Sequence, residues 1–107
     1  MVESKTRKAA FLREAARFLK LNATVENARF EAVAAEGAYA GQMDVVSIRA
    51  LKIDAPILST AKAFLNAGGT IALFSPTPAS PPDLPGHLRV TGLAPLVGTS
   101  HLVLLGR

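Results

Sequence analysis

The stretch Asp44 to Ala50 (DVVSIRA), with Thr70 to Ser75 (TIALFS) downstream of it, decides the fold. Both are short apolar runs rich in β-branched residues with little polar alternation, as in strands buried on both faces of a parallel sheet. The two runs therefore read as the sheet centre. Between them, Asp54 to Ala67 reads as a helix. Asp54 caps it, Pro56 is tolerated in its first turn, Ile57, Leu58, Ala61, Phe64 and Leu65 form its apolar stripe, and Gly68 with Gly69 stops it. Strand, helix and strand with short links make a βαβ unit, which is right-handed almost without exception. Arg49 stands where the chain leaves the first strand. Ligands of open α/β sheets bind outside the carboxyl ends of the strands, so this side chain either meets a ligand or is solvated at a strand terminus.

Upstream, Met1 to Ser4 (MVES) has the character of the end of a strand without its beginning. From Lys5 to about Leu21 the pattern turns helical, with Ser4 as N-cap and Phe11, Leu12, Ala15, Ala16, Phe18 and Leu19 recurring at three- and four-residue spacing. The other face carries Lys5, Lys8, Arg13, Arg17 and Lys20 against a nearly solitary Glu14. Such a basic stripe tracks phosphates or is simply a solvated face. Thr24 to Ala28 reads as a short strand, and Glu31 to Glu36 as one or two helical turns closed by Gly37.

After Ser75 the character changes. Pro76, Pro78, Pro81, Pro82 and Pro85 predict a surface loop that is neither helix nor central strand. His87 to Leu93 and Ser100 to Gly106 then read as a terminal antiparallel pair joined by a turn around Pro95 and Gly98. The fold class is α/β, a mostly parallel sheet with a C-terminal antiparallel strand pair, in a single domain over residues 1–107.

At 107 residues the chain buries roughly two thirds of the surface its unfolded form exposes, enough for one core. Its net charge of +4, from twelve Lys and Arg against eight Asp and Glu, suits a polyanionic partner such as RNA or serves solubility. The absence of cysteine removes disulfides, thiolate zinc sites and cysteine nucleophiles. With only His87 and His101, far apart, no metal site is expected. No apolar run approaches the roughly 20 residues of a membrane span and the N-terminus lacks a signal-peptide core, so no membrane association and a cytoplasmic location are expected. There is no P-loop, no Ser-His-Asp arrangement and no glycine-rich dinucleotide turn.

VESKTRKAAFLREAAR, NARFE, DVVSIRA, the Gly-Gly pair before TIALFS, and SHLVLLGR occur in that order along nearly the whole chain. In this ordered set the chain resembles the second half of the small-subunit ribosomal RNA methyltransferase G family, also called glucose-inhibited division protein B. The resemblance implies a truncated Rossmann-like class I methyltransferase fold, S-adenosylmethionine as cofactor, and guanine N7 of small-subunit ribosomal RNA as the methyl acceptor.

It also implies roles for particular residues. Glu3 matches the acidic residue closing the second strand, whose carboxylate takes the ribose hydroxyls; an acid there also favours a helix N-terminus. Phe30 and Glu31 match the pair on the adenine side, although Glu31 also suits a solvated carboxylate. Arg49 matches the arginine near the methyl-transfer centre, where it would hold a carboxylate or phosphate; it could instead pair with Asp54. Independently of the resemblance, the basic helix face makes Arg13, Arg17 and Lys20 the RNA-contact candidates. No catalytic residue is assigned.

The chain departs from the family in lacking the glycine-rich first strand and in having Ser75 and Pro76 in place of a Lys-Gly pair. The expectation is a protein incomplete and inactive alone, with a second chain or an N-terminal half supplying the missing strand. The alternatives are a non-catalytic RNA- or protein-binding module and a decayed remnant.

Overall fold

The computed structural model describes residues 1–49, 54–75, 84, 86, 88–96, 98 and 100–106. Met1–Ala38 and Tyr39–Arg107 form two compact units. Ala50, the proline-rich stretch from Pro76 to Asp83, Pro85 and His87 lie outside the described residues, and with them the loop reading and the start of the first terminal strand.

In the first unit, helix α1 runs Thr6–Phe18 and helix α2 runs Phe30–Glu36. The strand expected at Thr24 to Ala28 is reduced to one parallel bridge, Val2 to Glu26. Its backbone bonds are Glu26 N–H to Met1 O at 2.8 Å and Glu3 N–H to Glu26 O at 2.9 Å. The cap of α1 also differs from the expectation: Lys5, not Ser4, is the N-cap and its side chain makes no capping bond. Glu3 Oε1 accepts from the Lys5 N–H just ahead of the helix at 3.1 Å. At the other end Lys20 adopts the left-handed conformation (φ 56). Lys20 N–H reaches Arg17 O at 3.1 Å and Leu21 N–H reaches Ala16 O at 2.8 Å, a Schellman closure that satisfies the last carbonyls.

The apolar stripe of α1 is only partly the one expected: Ala16 is buried and Leu12 and Ala15 half-buried, but the aromatic members are open. Ala9 and Ala16, seven residues apart, are buried, whereas Phe11 and Phe18 are 71% and 85% exposed. Apolar residues ring much of this helix, so three- and four-residue spacing is satisfied on two faces at once and cannot choose the buried one. The alanine face is the one taken inward. Helix α2 follows the sequence reading closely, with Val33 buried and Gly37 closing it in the left-handed conformation (φ 73).

The second unit is a four-stranded sheet of β1 (Met43–Arg49), β2 (Leu65–Ser75), β3 (Arg89–Pro95) and β4 (His101–Gly106), with helix α3 (Ala55–Phe64) between β1 and β2. The strand order is β1-β2-β4-β3. β1 and β2 are parallel, and β4 pairs antiparallel with both β2 and β3. The βαβ unit and the terminal antiparallel pair are thus present, but Pro95, expected in the turn, is the last residue of β3 and pairs with His101, and among the described residues the parallel part of this sheet is the single pair β1-β2. Only β2 holds the interior place expected for both runs. β1 has a strand partner on one edge among the described residues, and Val45 is 60% exposed. Edge position depends on partners, which local apolar character does not encode.

Helix α3 starts as expected: the Asp54 carboxylate accepts from Ile57 N–H at 3.0 Å and Pro56 sits in the first turn. Asp54→Ala should lower stability by about 1 kcal/mol, read as a shift in the urea midpoint at unchanged slope. The helix ends earlier than the glycines suggest, at Phe64, and Leu65 already belongs to β2. Register jumps from Met43–Leu65 to Val45–Thr70, so Asn66 to Gly69 bulge out of the ladder. The Asn66 amide ties the bulge down by donating to Asp44 Oδ1, while its Oδ1 accepts from Gly68 N–H at 3.2 Å. Leu58, Ala61 and Phe64 of α3 are buried with Leu65, Ile71 and Leu73 of β2 and Val103 and Leu105 of β4. That core fixes the β1-β2 pair and hence the carboxyl ends where Arg49 emerges.

Candidate cofactor site

The expected cofactor residues fall in both units. Glu3 follows the Val2 bridge and is half-buried, which is the end-of-strand position that the sequence suggests. One carboxylate oxygen is engaged with Lys5 N–H, and Oε2 has no partner among the described residues. Its helix-terminus role and a hydroxyl-accepting role are therefore compatible on one carboxylate. Phe30 opens α2 and is half-buried; Glu31 follows in the first turn. Arg29 Nε stands 3.9 Å from Glu31 Oε2, with both side chains mostly exposed. At that distance and exposure the pair contributes little, and the Glu31 carboxylate keeps most of its accepting capacity.

In the second unit Arg49 ends β1 and is exposed. The alternative pairing with Asp54 is not formed: Asp54 caps α3, and Arg49 has no ion-pair partner among the described residues. Arg49 is in register with Phe74, near the carboxyl end of β2, and Phe74 is 40% exposed. A guanidinium beside an open aromatic ring at the carboxyl end of a parallel pair offers paired donors and an apolar face together. Phe74 escaped the sequence reading because it sits inside an apolar run; its place one residue before the strand end was the available signal.

The three RNA-contact candidates differ in their freedom. Arg13 Nη2 donates to Val25 O at 3.1 Å from a partly buried position. Arg17 Nη2 is held by both Glu14 oxygens, at 2.9 and 2.7 Å, and that hydrogen bond, followed by the charge of Glu14, raises its pKa further. Lys20 is exposed in the left-handed turn. Among the described residues there is no cluster of metal-ligating side chains and no helix long and apolar enough to cross a membrane.

No family profile matches the chain. Over 70 residues, 65% of its length, it is 46% identical to ribosomal RNA small subunit methyltransferase G of Methylobacterium radiotolerans. Over that stretch the chain is similar in sequence to methyltransferase G. The match spans 32% of the length of that relative. The structural comparisons agree on the fold. A protein named as a candidate methyltransferase, YhhF from Escherichia coli, superposes with a TM-score of 0.74 at 16% identity, covering 97% of this chain and 60% of that one. The protein MtNAS, solved in complex with MTA and tNA, superposes at 0.68 with 14% identity, covering 99% and 42%. The fold is α/β and Rossmann-like, and the similarity to methyltransferase G agrees with the ordered motifs of the sequence.

Proposed function

We propose that the chain is one partial S-adenosylmethionine-dependent methyltransferase domain over residues 1–107, related to enzymes that methylate guanine N7 of small-subunit ribosomal RNA. The carrying observation is the 46% identity to methyltransferase G, joined to an arginine with no ion-pair partner among the described residues at the carboxyl end of a parallel strand pair. In this reading Glu3 accepts from the ribose hydroxyls, Phe30 and Glu31 take the adenine side, and Arg49 holds the carboxylate of the methionine moiety. Bound S-adenosylmethionine would supply a methyl group whose carbon–sulfur bond breaks as the bond to the already nucleophilic ring nitrogen forms, with S-adenosylhomocysteine leaving, so these residues would contribute alignment rather than proton abstraction.

Incompleteness belongs to the same proposal. β1 presents one edge without a strand partner among the described residues. A row of unpaired backbone groups there would each cost on the order of 1–3 kcal/mol if buried dry. A second chain or an N-terminal half that supplies a strand to this edge would satisfy them and complete the cofactor cradle. The partner RNA is ribosomal and the location cytoplasmic. The chain alone is expected to transfer no methyl group to small-subunit ribosomal RNA in a radiolabel assay, and to bind S-adenosylmethionine in titration calorimetry. Methyl transfer by the isolated chain would contradict incompleteness; absence of cofactor binding would contradict the methyltransferase reading itself.

A further inference from the structure

Helix α1 holds two aromatic rings that its own unit leaves open. Phe11 is 71% and Phe18 85% exposed, on the side of the helix opposite the buried Ala9 and Ala16. They are seven residues apart, two turns, and so project from one face about 10.5 Å apart along the axis. Arg7 and Lys8 stand four and three residues before Phe11, where helical geometry makes them its neighbours. Both are exposed and have no hydrogen-bond or ion-pair partner among the described residues, in contrast to Arg13 and Arg17. From Lys5 to Lys20 there are six basic residues and one acidic residue, and that one, Glu14, is occupied by Arg17.

We infer that this face binds single-stranded RNA, with Phe11 and Phe18 as stacking platforms and Arg7 and Lys8 as phosphate contacts. The inference rests on the RNA-directed reading above and deepens it by moving the contact from the Arg13–Arg17 flank to the opposite side of the helix. Exposed aromatic rings among uncommitted cations are what sequence-tolerant single-strand binding uses, because every base has a face to stack and every nucleotide a phosphate. Stacked bases rise about 3.4 Å, so rings about 10.5 Å apart receive bases about three steps apart, or bases splayed out of their stack. Charge complementarity favours RNA over a protein surface as occupant. Leu19 and Leu21, also exposed past the helix end, are the feature that a protein partner would use.

The test is fluorescence anisotropy of a labelled, unstructured 12-nucleotide RNA against the intact chain over a range of salt, with circular dichroism melts as a check on folding. Each of Phe11→Ala and Phe18→Ala should weaken binding between about five- and 150-fold, and Phe18→Tyr should keep the affinity. Arg7→Gln with Lys8→Gln should make the slope of log affinity against log salt shallower by about 1.4. Salt-sensitive binding indifferent to both phenylalanines would overturn the stacking face while leaving an RNA-directed protein. Absence of RNA binding would overturn both. Self-association in sedimentation that Phe11→Ser and Phe18→Ser abolish would assign the face to a second copy and overturn the inference.

Discussion

Leu73→Ala is expected to remove about 2–5 kcal/mol of stability, the largest loss of any single truncation considered. Leu73 is 1% exposed in β2, with Ile48 opposite it on β1 and Val103 on β4. It lies on the face that also buries Ile71 and Leu105, and α3 packs against the same strand pair with Leu58 fully buried. Neighbours held by ladders on both sides of β2 cannot collapse into the void, so the cavity term adds to the lost transfer energy. Against a typical total of about 5–15 kcal/mol, such a loss brings the folded state near its threshold. Phe74→Ala, one residue on and facing the other way, serves as the control because its ring is already 40% exposed. In urea unfolding the midpoint should fall far for Leu73→Ala and little for Phe74→Ala. Equal shifts would mean that the buried face has been assigned wrongly.

Gly69→Ala is the second large effect, expected to cost about 1–3 kcal/mol through overpacking. A Cβ at Gly69 would lie 2.9 Å from the Met43 carbonyl oxygen and 2.8 Å from Leu65 Cδ2. The carbonyl is backbone and cannot swing aside, so the bulge that carries the chain from α3 into β2 must shift. At Gly68 a Cβ would meet nothing within 4 Å. The adjacent glycines are thus separable: Gly68→Ala should be near neutral in thermal unfolding, and similar losses at both positions would contradict the close approach at Gly69. The pair reads as a helix stop in the sequence, yet at Gly69 the structural reason is this close approach to Met43 and Leu65.

What was legible in the sequence was what neighbours along the chain determine. The Asp54 cap, Pro56 in the first turn and Gly37 closing α2 all rest on interactions within a few residues, and the strands on either side of α3 announce themselves by local apolar, β-branched composition. The terminal antiparallel pair was visible for the same reason, since a short turn with Gly98 in the left-handed conformation joins it. Features set by distant partners were not. β1 has the composition of an interior strand but occupies a sheet edge among the described residues. Phe11 and Phe18 have the spacing of a core stripe, yet the helix buries its alanines. The end of α3 at Phe64 depends on Leu65 finding Met43 across the sheet. At the candidate site the sequence pointed to Arg49 at a strand end but not to Phe74, whose significance lies in the register between two strands.

The most direct test of the methyltransferase reading is titration calorimetry of S-adenosylmethionine into the folded chain and its Glu31→Ala and Arg49→Ala variants. Neither side chain is buried, so the variants should keep the melting temperature of the parent. Saturable binding is expected, weakened on the order of tenfold by each substitution through loss of a charge-assisted hydrogen bond. No heat of binding at millimolar ligand from a chain shown to be folded would contradict it.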